Sequence, residues 1–374
     1  MKYRLLATCS FGLEAIVKQE AIKLGFENIA TFDARVYFDG DATDIIKANL
    51  WLRSADRVYI VLEEFEAKTF EELFQGVSKI GWSDYIGKNN AFPVTGDSVR
   101  STLFSVSDVQ KITKKAIVEK LKLRHNISFF EEDEDKVLVH VAILKDIVSV
   151  MINVSGPGLN RRGYRRINAV APIRETLAAG LLQIARYTDQ PMYDAMCGSG
   201  TIAIEAAMMR KNIAPGIQRR FAFENYDFLD LSELKNERDS ARANVNKEKI
   251  EVFASDVDIE VISLANKHAK TAGVFDHISI KKADMKEVLT QDASGILVIN
   301  PPYSHRMGEK KEVDRLYRKL GNLTISNDSL RTFVITADMG FEKAYGKKAD
   351  KVRKLYNGSI KCNFYQYFRG KKYR

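Results

Sequence analysis

From about residue 169 the chain alternates helix-period stretches with short apolar runs, and it closes on "KVRKLYNGSIKCNFYQYFRG", where Asn357-Gly358 stands between two alternating segments. The apolar runs near 191–196, 250–255, 277–281, 294–299 and 331–336, several of them separated by helical segments, predict a doubly wound, mostly parallel sheet. Parallel neighbours need a crossover, and the intervening helices supply it. Asn-Gly predicts a tight hairpin, because a two-residue turn needs positive φ. "APIRETLAAGLLQIA" reads as the helix entering the first of these strands, with Pro172 in its first turn. An α/β sheet closed by an antiparallel hairpin is a narrow architectural class.

A chain of 374 residues exceeds one ordinary core, so further units are expected ahead of that sheet. Residues 1–65 read as a small α+β unit, with strands at "YRLLATCS" and "RVYFDG" flanking the helical "FGLEAIVKQEAIKLGF". Residues 66–155 form a second α+β unit. Its helix "SVSDVQKITKKAIVEKLKLRH" takes Ser107 as N-cap and carries Lys111, Lys114, Lys115, Lys120 and Lys122 on its polar faces. Two β-rich runs around Lys145-Asp146 then predict a hairpin. Gly156-Pro157-Gly158 marks a boundary, 156–168 a basic linker and 169–374 the α/β domain. That last domain is expected to bind its ligand as an isolated fragment from about Arg165 onward.

Composition is globular, with 45% hydrophobic and 29% charged residues. No apolar run reaches the ~18 residues of a membrane span, and Met1-Lys2-Tyr3-Arg4 leads into no secretory leader, so a soluble cytoplasmic protein is expected. Cys9, Cys197 and Cys362 are far apart and read as reduced thiols; the five histidines form no HxxxH pair, so no metal is expected. The net charge of +9 is uneven. Residues 1–160 hold 20 Lys/Arg against 23 Asp/Glu, whereas 161–374 hold 38 against 26. Arg161-Arg162-Gly163-Tyr164-Arg165-Arg166, Arg219-Arg220 and the tail 343–374 concentrate that charge, and such clusters favour polyanions.

"PMYDAMCGSGTIAIEAAMM" puts a strand end near Asp194, a glycine turn at Gly198 and Gly200, and a helix from about Thr201. Glycines there permit positive φ and let a ligand lie against bare backbone. The spacing differs from the GxGxxG of dinucleotide sites. Asp256 ends the next strand, where a carboxylate can accept both hydroxyls of a ribose, and Asp284 ends the one after, at the height of an adenine amino group. Three acidic strand tips describe a pocket for an adenosine bearing an amino acid. "SGILVINPPYSHRMGEKK" then ends a strand in a rigid corner. An exocyclic purine amine is a poor nucleophile, because its lone pair is delocalised into the ring. The Asn300 side-chain oxygen and the Pro301 carbonyl are two acceptors suited to its N–H bonds, Pro301 and Pro302 hold the corner, and Tyr303 can stack on a flipped base. Asn300 is an amide and cannot take the proton. The corner accepts either purine amine, guanine N2 or adenine N6.

In the same order along essentially the whole chain, "GPGLNRRGYRR", "APIRETLAAGLL", "DAMCGSGT", "APGIQRRFAFENY" and "NPPYSHRMGE" resemble the bacterial THUMP-domain RNA methyltransferases, in particular those similar to the 23S rRNA guanine-N2 enzymes. The resemblance implies a ferredoxin-like unit, a THUMP unit and a Rossmann-like class I methyltransferase domain using S-adenosyl-L-methionine. It places Asp194, Cys197, Gly198, Gly200, Asp256 and Asp284 on donor positions, with Thr176 towards the methionine end, and Asn300, Pro301, Pro302 and Tyr303 on the catalytic motif. Ser304-His305-Arg306 stands where the family commonly has a glycine after the tyrosine. Arg306, with Arg161, Arg162, Arg165, Arg166, Lys111 and Lys115, faces RNA in this reading. Ribosomal RNA is the implied partner, and a transfer-RNA guanine or an N6-adenine substrate in RNA or DNA is the alternative.

Overall fold

The computed structural model describes residues 1–126, 134–165, 173–302 and 307–368. Its first half contains β1 (Tyr3–Cys9), α1 (Glu14–Lys23), β2 (Glu27–Phe32), β3 (Arg35–Gly40), α2 (Ala42–Trp51), β4 (Ala55–Glu66), α3 (Phe70–Ser78), β5 (Asn90–Ala91), β6 (Val94–Val99), α4 (Val106–His125), β7 (Glu134–Lys136), β8 (Val139–Leu144) and β9 (Ile147–Asn153). Local chemistry sets many of these bounds. Capping boxes start α2 (Asp41 with Asp44) and α3 (Thr69 with Glu72), satisfying amides that the helix leaves unpaired. Lys145 (φ 52) and Asp146 (φ 65) form the predicted two-residue turn between β8 and β9. The N-cap of α4 is Ser105 rather than Ser107: its hydroxyl donates to Asp108 at 2.6 Å, and Ser107 lies within the first turn.

The first-half strands, apart from a small β5–β7 pair, make one continuous sheet in the order β2-β3-β1-β4-β9-β8-β6. The twelve-residue β4 pairs with β1 on one side and β9 on the other, so a single strand joins the ferredoxin-like and second α+β halves.

The second half adds α5 (Glu175–Ile184), β10 (Met192–Asp194), α6 (Thr201–Arg210), α7 (Leu234–Ala243), β11 (Val252–Asp256), α8 (Ile259–Ala272), β12 (Ser279–Lys282), α9 (Met285–Val288), β13 (Gly295–Ile299), α10 (Met307–Thr324), β14 (Leu330–Thr336), α11 (Phe341–Tyr345), β15 (Lys351–Asn357) and β16 (Ile360–Tyr367). The strand order is β12-β11-β10-β13-β14-β16-β15, parallel except for β16. Order reverses beside β10, so a crevice opens at the carboxyl ends of β10 and β13, where such sheets bind ligands. In β13, Ile296 and Val298 join one buried cluster and Leu297 and Ile299 another. Both faces are covered, which is why this strand reads as an unbroken apolar run. The closing turn is Gly358-Ser359, because Asn357 still pairs with Ile360. Likewise α5 starts at Glu175, after Pro172, which lies outside the described residues.

The two halves share a core. Residues of α5 from Glu175 to Leu182 are all buried, and a Cβ on Gly180 would meet Leu13 of the first half at 2.8 Å. Glu20 of α1 accepts hydrogen bonds from Ser54 and from Gln183 of α5, and burial pushes its pKa up. Along this stretch α5 is covered on every side, its polar residues included. The fragment from Arg165 onward would therefore expose one side of α5 to water.

Candidate active site

At the tip of β10, Asp194 is 1% exposed, and neither carboxylate oxygen has a hydrogen-bond partner among the described residues. Burial, then the neighbouring Asp256 carboxylate, raise its pKa to about 8; the Met196 and Ala203 amides oppose this without reaching hydrogen-bond geometry. A buried acid without a partner is costly unless something completes it. The turn above it supplies the space. Gly198 has φ +49 and Gly200 φ +83, and a Cβ on Gly198 would meet nothing within 4 Å. Cys197 is buried, its thiol pKa pushed up by burial. Its amide donates to Ser255 O at 2.9 Å, and the Gly198 amide donates to Asp256 at 3.0 Å. The His268 Nδ1 lies 3.1 Å from the Ser199 carbonyl, which can only accept, so that nitrogen carries the proton. The turn is thus fixed from below and from the side.

Asp256 already accepts from Gly198 and Asp258, one bond on each oxygen, and keeps lone pairs on both. Asp284 is more occupied. It caps α9, and both its oxygens lie 2.7 Å from Lys319 Nζ, which holds its pKa below the usual carboxylate value. Thr176 is buried, with its hydroxyl on Asp56 at 2.9 Å. These strand tips are gathered at one end of the sheet, while Thr176 points its hydroxyl at the first half of the chain.

Asn300 follows β13 half-buried, Pro301 is buried and Pro302 exposed; Tyr303 and Arg306 lie outside the described residues. The corner has a brace that sequence reading missed. Tyr317 of α10 is 0% exposed, and its hydroxyl donates to the Pro302 carbonyl at 3.1 Å while lying 3.1 Å from Thr336 Oγ1. Thr336 in turn accepts the Asp338 amide at 3.1 Å. Since a carbonyl only accepts, the donors are ordered: Asp338 N–H to Thr336, Thr336 O–H to Tyr317, Tyr317 O–H to Pro302. Burial raises the Tyr317 pKa to about 12, so the phenol keeps its proton. The signal was available in the apolar spacing of Val313, Tyr317 and Leu320, which puts a phenol on a buried face where it needs a partner. Val257, beside Asp256, is 62% exposed.

The predicted polyanion contacts divide. Arg161 is exposed, as are Lys111 and Lys115 on α4, whose nearest acids are each 3.8 Å away. Arg162 does not face solvent. It is 2% exposed and pairs at 3.3 Å with Glu205, itself 0% exposed, while Tyr164 donates to the same carboxylate at 3.1 Å. It is an internal ion pair and is corrected out of the RNA-facing set. Arg165 is largely engaged with Glu175 at 3.2 Å, and Arg166 lies outside the described residues. Arg219 also works internally, donating to the carbonyls of Ser155, Pro157, Gly158 and Arg161 at 2.6 to 3.2 Å.

With this geometry in hand, known proteins place the chain. Residues 162–366 match the family described as RMKL-like, methyltransferase domain; residues 4–59 match the RlmL ferredoxin-like domain and 67–153 the THUMP domain. A Bacillus subtilis protein named "Putative RNA methyltransferase YpsC" is 43% identical over 98% of this chain and 96% of its own length. The ribosomal RNA large subunit methyltransferase K/L of a Shewanella species is 32% identical over 95% of this chain, which spans 51% of that protein. The crystal structure of SMU.472 complexed with SAH superposes with a TM-score of 0.92 at 39% identity, covering 99% of both chains. The chain belongs to the RMKL-like methyltransferase family, and its cofactor is S-adenosylmethionine.

Proposed function

We propose that the chain transfers a methyl group from S-adenosylmethionine to the exocyclic N2 amine of a guanine in 23S ribosomal RNA. The observation that carries this reading is the Asn300-Pro301-Pro302 corner, standing at the tip of β13 next to the β10 tip and its glycine turn, and pinned by Tyr317. When bound, the cofactor supplies an electrophilic methyl group on a sulfonium leaving group. The chain's residues do the rest. Asp194, buried and without a partner among the described residues, fits the ammonium of the donor's methionine end. Gly198 and Gly200 admit it against bare backbone, Asp256 accepts ribose hydroxyls, Asp284 stands at the adenine end, and Val257 offers an apolar wall to the purine.

At the acceptor side, the Asn300 side-chain oxygen and the Pro301 carbonyl accept the amine N–H bonds, drawing the nitrogen lone pair out of conjugation with the ring. Tyr303 stacks on the flipped base. Because an amide cannot take the proton, Asn300 positions the amine, and the proton leaves to solvent or to a phosphate once the methyl group has transferred. The THUMP match and the named RNA relatives support RNA as the substrate. The chain spans about half the length of the K/L relatives, so the ribosomal assignment belongs to this proposal. Mass spectrometry of nucleosides from ribosomal and transfer RNA of cells lacking the protein tests it. Loss of N2-methylguanosine from 23S rRNA supports the assignment; loss confined to transfer RNA or to N6-methyladenosine overturns the substrate or the base.

A further inference from the structure

A second polar cavity lies where the three parts of the chain meet, and nothing in the methyl-transfer site accounts for it. It measures about 400 Å³ and is walled by Asp56 and Arg57 from β4, by Pro157, Gly158, Asn160 and Arg161 from the linker, and by Arg174 at the N-cap of α5. All three arginines are exposed, and among the described residues none of them forms an ion pair. Their one acidic neighbour on the wall is Asp56, whose Oδ1 already accepts the Thr176 hydroxyl at 2.9 Å. Three guanidiniums against one carboxylate leave the cavity electropositive.

The wall is built rather than incidental. Arg219 fixes the entry to the linker by donating to the carbonyls of Ser155, Pro157, Gly158 and Arg161. The backbone carrying Arg161 is thereby held against the domain below it. Arg57 is tied more loosely, its Nε 3.4 Å from the Gly156 carbonyl. Guanidiniums held apart by a fixed backbone form a fork that suits the oxygens of a phosphodiester.

Its position relates it to the methyl-transfer corner. Strand β16 runs antiparallel to β14 with Thr336 opposite Asn363, so the turn Gly358-Ser359 overhangs the carboxyl end of β14. A Cβ on Gly358 would lie 3.6 Å from Arg174 Nη2. Arg174 therefore stands at the same end of the sheet as Asn300. Asn300 ends β13, and β14 and β16 lie between that strand and β15, whose end carries this turn. Three strand spacings are ~15 Å, a reach that a short stretch of single-stranded RNA covers.

We propose that Arg57, Arg161 and Arg174 form a subsite for the phosphodiester backbone of single-stranded RNA flanking the target nucleotide. This rests on the reading that RNA is the substrate. The ferredoxin-like unit, the linker and the catalytic domain contribute one arginine each, so the subsite exists only when these three are docked. The backbone is gripped at the junction while the base enters the corner at β13.

The test uses the full-length protein with Arg57, Arg161 and Arg174 changed together to Ala, and 23S rRNA extracted from cells lacking the protein as the probe. A control removes the exposed Lys2, Lys68 and Arg242, which are not on the cavity wall. Affinity for RNA should fall by about a thousandfold in the cavity variant, since three charge-assisted hydrogen bonds are lost and each is worth about tenfold or more. The log–log salt dependence should flatten by about 2, at ~0.7 per single-strand phosphate contact. The control should change neither by a comparable amount, and calorimetric affinity for S-adenosylmethionine and the melting temperature should match the parent. Equal RNA affinity and salt slope in parent and cavity variant overturn the subsite while leaving the RNA reading intact. Loss of S-adenosylmethionine affinity instead assigns the guanidiniums to the donor's carboxylate and also overturns it. If the parent binds the donor but not this RNA, the RNA reading itself fails and the subsite with it.

Discussion

Tyr317→Phe isolates the brace under the catalytic corner, because it removes one oxygen and leaves the ring. The ring keeps its edge-to-face contact with Phe341 at 4.9 Å between centroids, so packing survives. What is lost is the link between Thr336 and Pro302. Pro302 is exposed, and its carbonyl can turn to water. Thr336 is 1% exposed and keeps the Asp338 amide, but its own O–H loses its acceptor. One stranded buried donor sets the stability cost at about 1–3 kcal/mol, well short of the loss of a whole buried aromatic side chain. The effect on turnover is expected to be larger in proportion. Displacing a reacting group by ~1 Å can cost ~100-fold, and the variant frees the carbonyl two residues from Asn300, so kcat should fall by roughly 10- to 100-fold. S-adenosylmethionine affinity, read by calorimetry, should not move. Denaturant unfolding and kcat at saturating donor measure the two effects separately. If stability falls by the stated amount while kcat stays at the parental value, Tyr317 is a packing residue and the brace has no part in positioning Asn300.

The remaining expectations concern the chemistry around it. Asn300→Ala should fold and bind donor as the parent does, yet lose on the order of a hundredfold in turnover; near-parental methylation would remove Asn300 from the mechanism. Asp256→Ala should weaken donor binding by about 1–3 kcal/mol through unpaired hydroxyls, and unchanged calorimetry would exclude it from the pocket. Asp194 titrates near 8 in the folded chain against 3.8 when unfolded, so between those values the folded state holds the extra proton and stability falls as pH rises. Melting temperature without donor should accordingly drop from about pH 5 to about pH 8. The Asp194→Asn variant should lack that component of the slope and bind donor poorly, and a parental slope in it would refute the assignment. Arg162→Ala should destabilise by about 3–5 kcal/mol by stranding Glu205, with chemical denaturation as the readout; a loss below ~1 kcal/mol would show that water reaches that pair.

The strand tips were legible in the sequence because their signals are local. Apolar runs bounded by helical segments locate β10 to β14, and an acid followed by a glycine turn marks the end of the first. Local signals also slipped by small amounts for a physical reason. Ser105 and Ser107 are both competent caps, and the choice fell to Ser105, whose hydroxyl reaches Asp108. In the closing hairpin the turn is set by cross-strand register, Asn357 opposite Ile360, which the dipeptide alone does not contain. The shared core was not legible: Glu175, Thr176 and Gln183 lie on one side of α5 and read as a solvent face, yet Glu175 and Thr176 are buried and Gln183 donates to Glu20 of the first half.

Charge was the least legible property, because sequence gives its sign and spacing but not where it is neutralised. Along residues 161–165 the chain turns at Gly163 (φ 102), and exposure alternates: Arg161 and Gly163 are exposed, while Arg162 and Tyr164 are buried. A run that counts as one basic cluster is divided by the backbone, with some side chains turned to solvent and others to the core. The partner was written elsewhere. Glu205 is the single acid in "TIAIEAAMMR", a helix whose residues from Thr201 to Met208 are all buried. A carboxylate in such a place requires a cation, and Arg162 reaches it with Tyr164 as a second donor. The same reasoning applied to Arg219 shows why an arginine in a basic dipeptide can be structural: it satisfies four backbone carbonyls, while Arg220 beside it is 80% exposed. Arg57, Arg161 and Arg174, which wall one cavity and form no ion pair among the described residues, keep a positive charge that such internal pairing does not consume.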